Sequence, residues 1–309
     1  MHPGPRPAFL SRRRFLLGAA ASGVLVACSS DDGEVSGTTD GSGESTLDSS
    51  DLSVVRFFGP YYAAGEPARV PFGLSDTDGL LPADAVPGNV TLSVRNPEGE
   101  TAAEGLTAVL HDEGLPRPYY SFEFTPASAG FYDLAVDVDG TEVISQFQVV
   151  APDEPTVVDR VGPGDQLPAI ETPTTDDARG VTPICTRDPQ CDLHGQTVAD
   201  ALDAGGPVAL LVATPAFCQT VVCGPILDIL LEQVPDYPDV RFVHAEVYTD
   251  PSENEVPPTP EDFAPVIAEL GLPYEPVLYV TGPDGVVRER LDYIFDARDM
   301  RASLDRALV

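Results

Sequence analysis

Two cysteines, Cys218 and Cys223, lie between two apolar segments and constrain the fold of this chain more than any other feature. The apolar run 208–212 precedes them, and a second apolar run, 226–231, follows. A short continuous apolar run is typical of a strand buried on both faces, and the second run suits a helix packed on a sheet. The cysteines are therefore predicted at the carboxyl end of a buried strand, where open sheets expose reactive groups.

The spacing of the two cysteines predicts the local backbone. Along a regular helix, five residues rise about 7.5 Å and turn by about 140°, which is too far apart for a disulfide. An irregular loop is therefore predicted from Pro215 to Cys223, with a helix beginning near Gly224 and Pro225. Proline is favoured at the first helical positions, and the helix amino terminus lowers the pKa of a nearby thiol.

Strand, cysteine pair and helix together resemble the active site of the thioredoxin fold, and the segment 264–280 resembles that fold's helix, cis-proline and strand. The resemblance covers about 160–309 and implies an α/β thioredoxin-like domain with Cys218, Cys223 and Pro276 in its catalytic centre. Either cysteine could be the nucleophile, and Cys218 is favoured because it follows the strand more closely. The chain departs from the family in having four residues between the cysteines instead of two, and no acid in the buried strand.

The resemblance implies a thiol–disulfide oxidoreductase that needs no cofactor and acts on protein thiols and disulfides. Three other functions remain open. One is a copper-binding or copper-delivery protein of the same fold, with His194, Cys218, Cys223 and His244 as metal ligands. Another is a peroxiredoxin, because Pro215, Thr220 and Cys223 nearly match that family's motif. The last is an anchored binding module whose cysteines are purely structural.

A second cysteine pair, Cys185 and Cys191, lies upstream, with His194 three residues further on. A structural disulfide between the two is the leading interpretation, because an even cysteine count in an oxidising compartment favours disulfides. Two alternatives remain open. Cys185, Cys191 and His194 could bind a metal together with Cys218 or Cys223, or the pair could relay electrons to Cys218 and Cys223.

The amino terminus predicts export and lipid anchoring. The segment 11–17 contains Arg12, Arg13 and Arg14 and resembles a twin-arginine signal, and an apolar run to Ala27 follows it. The sequence 25–28, Leu-Val-Ala-Cys, resembles a bacterial lipobox, which implies that Cys28 carries the lipid. The protein is therefore predicted on the outer face of the bacterial cell membrane, anchored through Cys28, with thiols and disulfides of exported proteins as partners.

Charge excludes one class of partner. Asp and Glu number 50 against 17 basic residues, and the net charge of −33 argues against binding to nucleic acid. Residues 29–50 contain no aromatic residue and few apolar ones, so the segment 28–52 is predicted to be a disordered tether behind the signal peptide 1–27.

The remaining sequence predicts two folded domains. Seven short alternating segments between 53 and 151 predict an all-β, immunoglobulin-like sandwich, with Tyr132 as its corner tyrosine. This domain has no cysteine and one histidine, so it is predicted to be a spacer or docking module. Tyr119 and Tyr120 are candidates either for a partner surface or for the core. A linker and entry segment, 152–180, leads to the thioredoxin-like domain, 181–309.

Overall fold

The computed structural model describes residues 52–57, 62–158, 160–218, 222–252 and 258–309. The signal peptide, Cys28 and nearly all of the predicted tether lie outside the described residues, as do residues 219–221 of the loop between Cys218 and Cys223. Within the described part, no helix has the length and apolar character that crossing a membrane requires.

Residues 53–150 form one curled sheet. Its hydrogen-bonded order is β1-β3-β7-β6-β5-β8-β9-β2, with β4 paired to β3. All seven strands predicted from the alternating pattern are present, and the very short β2 and β4 are additional. The strands are β1 (Ser53–Arg56), β2 (Tyr62–Ala63), β3 (Ala68–Asp76), β4 (Gly79–Leu80), β5 (Asn89–Arg95), β6 (Thr101–His111), β7 (Tyr119–Phe124), β8 (Gly130–Val138) and β9 (Thr141–Val150).

Alternation along these strands explains why the sheet closes over a core. In β5 the apolar residues Val90, Leu92 and Val94 are buried while their neighbours face outward, the period that a sheet with one wet face requires. The hydroxyl of Tyr132 donates to the carbonyl oxygen of Ser128 at 3.0 Å and accepts from its backbone N–H at 3.1 Å. These bonds confirm Tyr132 as a corner tyrosine.

A second sheet has four strands: β10 (Val208–Val212), β11 (Arg241–Ala245), β12 (Val277–Thr281) and β13 (Val287–Asp292). Their order is β11-β10-β12-β13, with β10 parallel to β11 and the other two pairings antiparallel. Every residue of β10 and β12 is buried, as their apolar sequences predict. The accompanying helices are α1 (Pro155–Val158), α2 (Val198–Asp203), α3 (Cys223–Gln233), α4 (Pro265–Leu270) and α5 (Ala297–Ala307).

Local signals decide where these helices begin and end. The Thr197 side chain accepts a hydrogen bond from the backbone N–H of Asp200 and caps α2, and Asp296 caps α5 in the same way through Asp299. The helix α4 is short, with six residues. It begins only at Pro265, because a proline disfavours the helical conformation in the residue before it, and Ala264 is extended with ψ 151°.

The predicted fold class, an α/β thioredoxin-like domain behind a sandwich, is wrong. The chain is mostly β-sheet: the curled sheet is its largest element, and the longest described helices, α3 and α5, have 11 residues each. Proline is the physical reason for the shortage of helix. The chain has 32 prolines, and the described stretches 160–196, 246–252 and 258–264 contain only isolated β-bridges and one short 3-10 turn, because proline lacks an N–H and restricts its neighbour.

The curled sheet and the second half of the chain pack together. All the described residues belong to one compact unit. Tyr119 of β7 is fully buried in the same core as α3 and α5, and a Cβ built on Gly114 would lie 2.7 Å from a side-chain carbon of Ile229. Tyr119 and Tyr120 are therefore core residues, and of the two alternatives the structure supports burial.

Candidate functional site

The disulfide lies at the carboxyl end of β10, where the buried strand gives way to α3. Cys218 and Cys223 are bonded, with their Cα atoms 6.0 Å apart. Cys223 is the first residue of α3, and Pro225 lies in the first turn, where its missing N–H leaves no bond unmade. The prediction that the helix begins within a residue or two of Gly224 is confirmed.

The two sulfur-bearing residues differ in how solvent reaches them. Cys223 is 0% exposed and Cys218 is 8% exposed, while the neighbouring Phe217 is 48% exposed. An incoming group therefore meets Cys218 first, and the exposed ring of Phe217 adds an apolar contact beside it. Cys223 lies at the amino-terminal end of α3, where the helix dipole stabilises the negative charge of a thiolate.

Glu275 is the residue of this site that the sequence reasoning missed. Its Oε2 lies 3.5 Å from Sγ of Cys223 and accepts a hydrogen bond from the backbone N–H of Thr214. Burial raises the pKa of Glu275 to about 7, and the hydrogen bonds from Thr214 oppose that rise. A carboxyl group that gains and loses its proton near neutral pH can exchange a proton with the Cys223 sulfur.

The sequence carried one signal for Glu275, since it directly precedes Pro276. The peptide bond between the two is cis, as predicted for Pro276, and the next residue begins β12. β12 pairs with β10 in antiparallel register, with Val277 opposite Val212. This pairing brings Glu275 to the end of β10, beside the segment that leads to Cys218.

A second cluster lies beside the first and contains Cys185, Cys191, His194 and His244. All four residues are buried. Nδ1 of His244 lies 3.8 Å from Sγ of Cys185, 3.5 Å from Sγ of Cys191 and 3.2 Å from Nε2 of His194. From the sequence, Cys185 and Cys191 were predicted together with His194 in one possible metal set, and His244 in another. The fold joins them because His244 lies on β11, against which the segment 185–194 packs.

The structure differs from the predicted disulfide between Cys185 and Cys191. Both are free thiols, and their sulfur atoms are 3.8 Å apart, against about 2.05 Å in a disulfide. The Cys185 thiol has a lowered pKa, chiefly because a hydrogen bond from Cys191 stabilises its thiolate, and the same interaction raises the pKa of Cys191.

The predicted metal set of His194, Cys218, Cys223 and His244 also needs correction. Cys218 and Cys223 are bonded to each other, and the two histidines face Cys185 and Cys191 instead. The same finding rules out the alternative metal set in which Cys218 or Cys223 joins Cys185, Cys191 and His194. The physical reason is chain direction: residues 213–218 leave β10 towards α3, while the ring of His244 points to the segment 185–194.

Two contacts connect the clusters. Nε2 of His244 lies 3.0 Å from the carbonyl oxygen of Ala213, and the hydroxyl of Thr186 accepts a hydrogen bond from the backbone N–H of Ala216 at 3.1 Å. Glu246 accepts from the backbone N–H and hydroxyl of Thr186, and its pKa is raised to about 8 by burial. The segment that carries Cys218 is thus held against the segment that carries Cys185.

His111, the histidine of the curled sheet, has a structural environment. Its Nδ1 lies 3.3 Å from Oδ1 of Asp296, and its Nε2 lies 3.1 Å from the hydroxyl of Ser121. Both ring nitrogens therefore have partners, and the contact with Asp296, the capping residue of α5, connects the curled sheet to that helix.

Comparisons with known proteins return domains of immunoglobulin and filamin type. No protein-family profile and no curated protein matches the sequence. Among solved structures, the Lin-41 filamin domain is 17% identical, with a TM-score of 0.24, and the match covers 32% of this chain and 91% of that one.

Two further structures are similar at the same level. Domains 4 and 5 of the S-layer protein SbsC are 20% identical, with a TM-score of 0.21, covering 32% of this chain and 45% of that one. Titin domain M7 is 12% identical, with a TM-score of 0.20, and the match covers 33% of this chain and 95% of that one.

Proposed function

We propose that the protein is a thiol–disulfide oxidoreductase that uses the Cys218–Cys223 pair. The observation that carries the proposal is the carboxyl group of Glu275, 3.5 Å from Sγ of Cys223 at the start of α3. A structural disulfide needs no titratable group beside it. A disulfide that opens needs a proton for the departing sulfur, and Glu275 can supply one near neutral pH.

The reaction begins with a thiolate of the substrate protein. It attacks Sγ of Cys218, the more exposed sulfur, and forms a mixed disulfide while the Cys218–Cys223 bond breaks. Cys223 departs as a thiolate, which the α3 amino terminus stabilises and which takes the proton of Glu275. A second substrate thiolate then attacks the substrate sulfur of the mixed disulfide and releases Cys218. The substrate gains one disulfide, the protein gains two thiols, and two electrons are transferred.

The substrates and location of this activity follow from the amino-terminal sequence. The twin-arginine and lipobox resemblances at 11–17 and 25–28 support export and attachment through a lipid on Cys28. Thiols and disulfides of exported proteins, near the outer face of the cell membrane, are then the partners. The exposed ring of Phe217 supports a peptide substrate, because it offers an apolar contact next to the reacting sulfur.

A redox titration tests the proposal. The full chain is equilibrated with glutathione buffers of graded potential, quenched by alkylation and analysed by mass spectrometry of each cysteine. We expect the Cys218–Cys223 disulfide to be reduced and re-formed reversibly in one two-electron step, at a potential above about −300 mV. Structural disulfides typically have potentials below that value. A pair that stays oxidised below that potential would show that the bond is structural.

Glu275→Gln is expected to remove a pH dependence from the opening of the disulfide. Protonated Glu275 assists the departing Cys223 sulfur, whereas a carboxylate 3.5 Å away repels the thiolate. Because the pKa of Glu275 is raised to about 7, the protonated form is present below that pH and is lost as pH rises through it. In the unchanged protein, the rate constant per attacking thiolate should fall about 10-fold as the pH rises through this pKa, because that is the size of effect expected from repulsion between two charges this close.

Stopped-flow reduction by dithiothreitol between pH 5.5 and 8.5 measures this rate constant, and the Gln variant should show no step near pH 7. Glu269→Gln is the matched control, since Glu269 is an exposed carboxylate on α4 and its loss should leave the step in place. An unchanged step in Glu275→Gln would remove Glu275 from the reaction.

A further inference from the structure

The cluster of Cys185, Cys191, His194 and His244 goes beyond the redox pair and needs its own explanation. A buried thiol or imidazole is usually an isolated core residue with ordinary partners. Here four such side chains, with exposures of 5%, 5%, 1% and 0%, point at one another from two parts of the chain. Two thiols and two imidazoles are the donor set that tetrahedral zinc prefers.

Four of the six distances between donor atoms match the edges of a tetrahedron around one ion. With Zn–S near 2.3 Å and Zn–N near 2.05 Å, the edges of a tetrahedral site are about 3.8 Å for S–S, about 3.6 Å for S–N and about 3.3 Å for N–N. The corresponding distances are 3.8 Å between the sulfurs, 3.5 and 3.8 Å from the sulfurs to Nδ1 of His244, and 3.2 Å between the two ring nitrogens. All four donor atoms lie within 4.8 Å of one another.

The surroundings of the histidines favour metal binding. Nε2 of His244 donates to the carbonyl oxygen of Ala213 at 3.0 Å, which leaves the lone pair of Nδ1 directed at the cluster. A backbone carbonyl that orients a ligating histidine in this way is a usual companion of metal sites. Nδ1 of His194 is buried and has no hydrogen-bond partner among the described residues, so hydrogen bonding outside the cluster does not explain this ring.

We propose that Cys185, Cys191, His194 and His244 bind one zinc ion in a closed, tetrahedral site. With both cysteines as thiolates, Zn²⁺ makes the buried site neutral, whereas Cu⁺ would leave a net negative charge there, which burial disfavours. With four protein ligands, no position remains open for a substrate, so the ion is structural. It joins the irregular segment 185–194 to β11, the edge strand of its sheet.

This site has a consequence for the chain around it. The edge of β11 is covered by the segment 185–194, which contains neither helix nor strand. The backbone N–H of His244 in β11 donates a hydrogen bond to the carbonyl oxygen of Leu193 in that segment at 3.2 Å. A metal ion supplies the stability that such a segment lacks, because binding to the folded state alone stabilises it. The ion also holds His244 against Ala213, at the start of the segment that leads to Cys218.

Metal analysis of the full chain tests the proposal. The protein is purified under reducing conditions, stripped with a chelator, and titrated separately with Zn²⁺ alone and with Cu⁺ alone. We expect one Zn²⁺ per chain, and Co²⁺ in its place should give the intense visible bands of a tetrahedral ion together with thiolate-to-metal charge transfer. Cys185→Ser and His244→Ala should each weaken binding by more than about 10-fold, because even the loss of a residue that only supports a metal ligand typically costs about that much.

Matched variants separate this site from the redox pair. Cys218→Ser combined with Cys223→Ser should keep one Zn²⁺ per chain, as should His111→Ala, which removes a buried histidine outside the cluster. The Co²⁺ spectrum of the unchanged chain gives a result even if a ligand variant fails to fold. Absence of stoichiometric Zn²⁺, binding of Cu⁺ in preference to Zn²⁺, or a Cys185–Cys191 disulfide in protein that takes up no metal would each overturn the proposal.

Discussion

Cys223→Ser is expected to abolish catalytic turnover and to leave Cys218 joined to its substrate. In the reverse of the proposed reaction, reduced Cys218 attacks a disulfide, and the resulting mixed disulfide is resolved by Cys223, which lies within disulfide reach. Serine cannot attack a disulfide, so the intermediate persists. With glutathione disulfide as the probe, Cys218 attacks one sulfur, forms a Cys218–glutathione bond and releases one glutathione thiolate. Mass spectrometry should find one adduct per chain, on Cys218.

The reciprocal variant is the control for this prediction. Cys218→Ser leaves Cys223, which is 0% exposed, so its sulfur should form the adduct at least 100-fold more slowly, because exchange requires access to the attacking sulfur. Equal trapping by Cys218→Ser and Cys223→Ser would contradict the assignment of Cys218 as the attacked sulfur, and trapping by neither would contradict the redox function.

Asp299→Ala is expected to cause a large loss of stability, although the side chain is only partly buried. The Asp299 carboxylate accepts from the guanidinium of Arg69 and from the Tyr119 hydroxyl, and its other oxygen lies 3.5 Å from Nδ1 of His111. The Arg69 and Asp299 side chains are only 17% and 18% exposed, and Nε of Arg69 has no partner among the described residues. Removing the carboxylate leaves a largely buried cation without its counter-charge.

Breaking a fully buried pair typically costs 3–5 kcal/mol, and the residual exposure reduces this, so the free energy of unfolding should fall by about 2–4 kcal/mol. Urea denaturation followed by circular dichroism measures the change. Glu104→Ala removes an exposed carboxylate of β6 and should change stability by less than about 0.5 kcal/mol.

The double variant Arg69→Met with Asp299→Leu tests the cause of this loss. It removes both charges and should recover at least half of the lost stability, because a buried ion pair contributes little relative to packed apolar side chains. No recovery would mean that the hydrogen bonds to Tyr119 and His111, and not the stranded charge, explain the effect. The redox potential of Cys218–Cys223 should stay the same in all three variants, since Asp299 takes no part in that site.

Local structure was the most predictable part of this protein. Period-two alternation located the seven main strands of the curled sheet, and the apolar runs located β10 and β12, because burial on one face or both leaves a direct mark on the sequence. Gly224 and Pro225 located the start of α3 to within a residue or two, because proline is favoured in the first helical turn. The Cys218–Cys223 bond followed from the position of the pair between a strand and a helix.

The fold class was not predictable in the same way. A motif around Cys218, Cys223 and Pro276 suggested an α/β domain, but a motif describes a few local elements and not the balance of helix and strand across a chain. The structure is mostly β-sheet, and Tyr119 of the curled sheet completes a core shared with α3 and α5. A contact between residues that are distant in sequence leaves no periodic pattern in either segment, so the sequence pattern could not predict it.

The sequence by itself determined the main strands, the start of α3 and the placement of the pair Cys218 and Cys223, because hydrophobic period, turn residues and proline act over a few neighbouring positions. Only the tertiary structure decided which distant groups meet. Strand pairing between β10 and β12 brings Glu275 to Cys223, and the position of His244 on β11 collects Cys185, Cys191 and His194 from about 50 residues upstream. The physical reason is that such contacts depend on register and chain path, which the whole core decides.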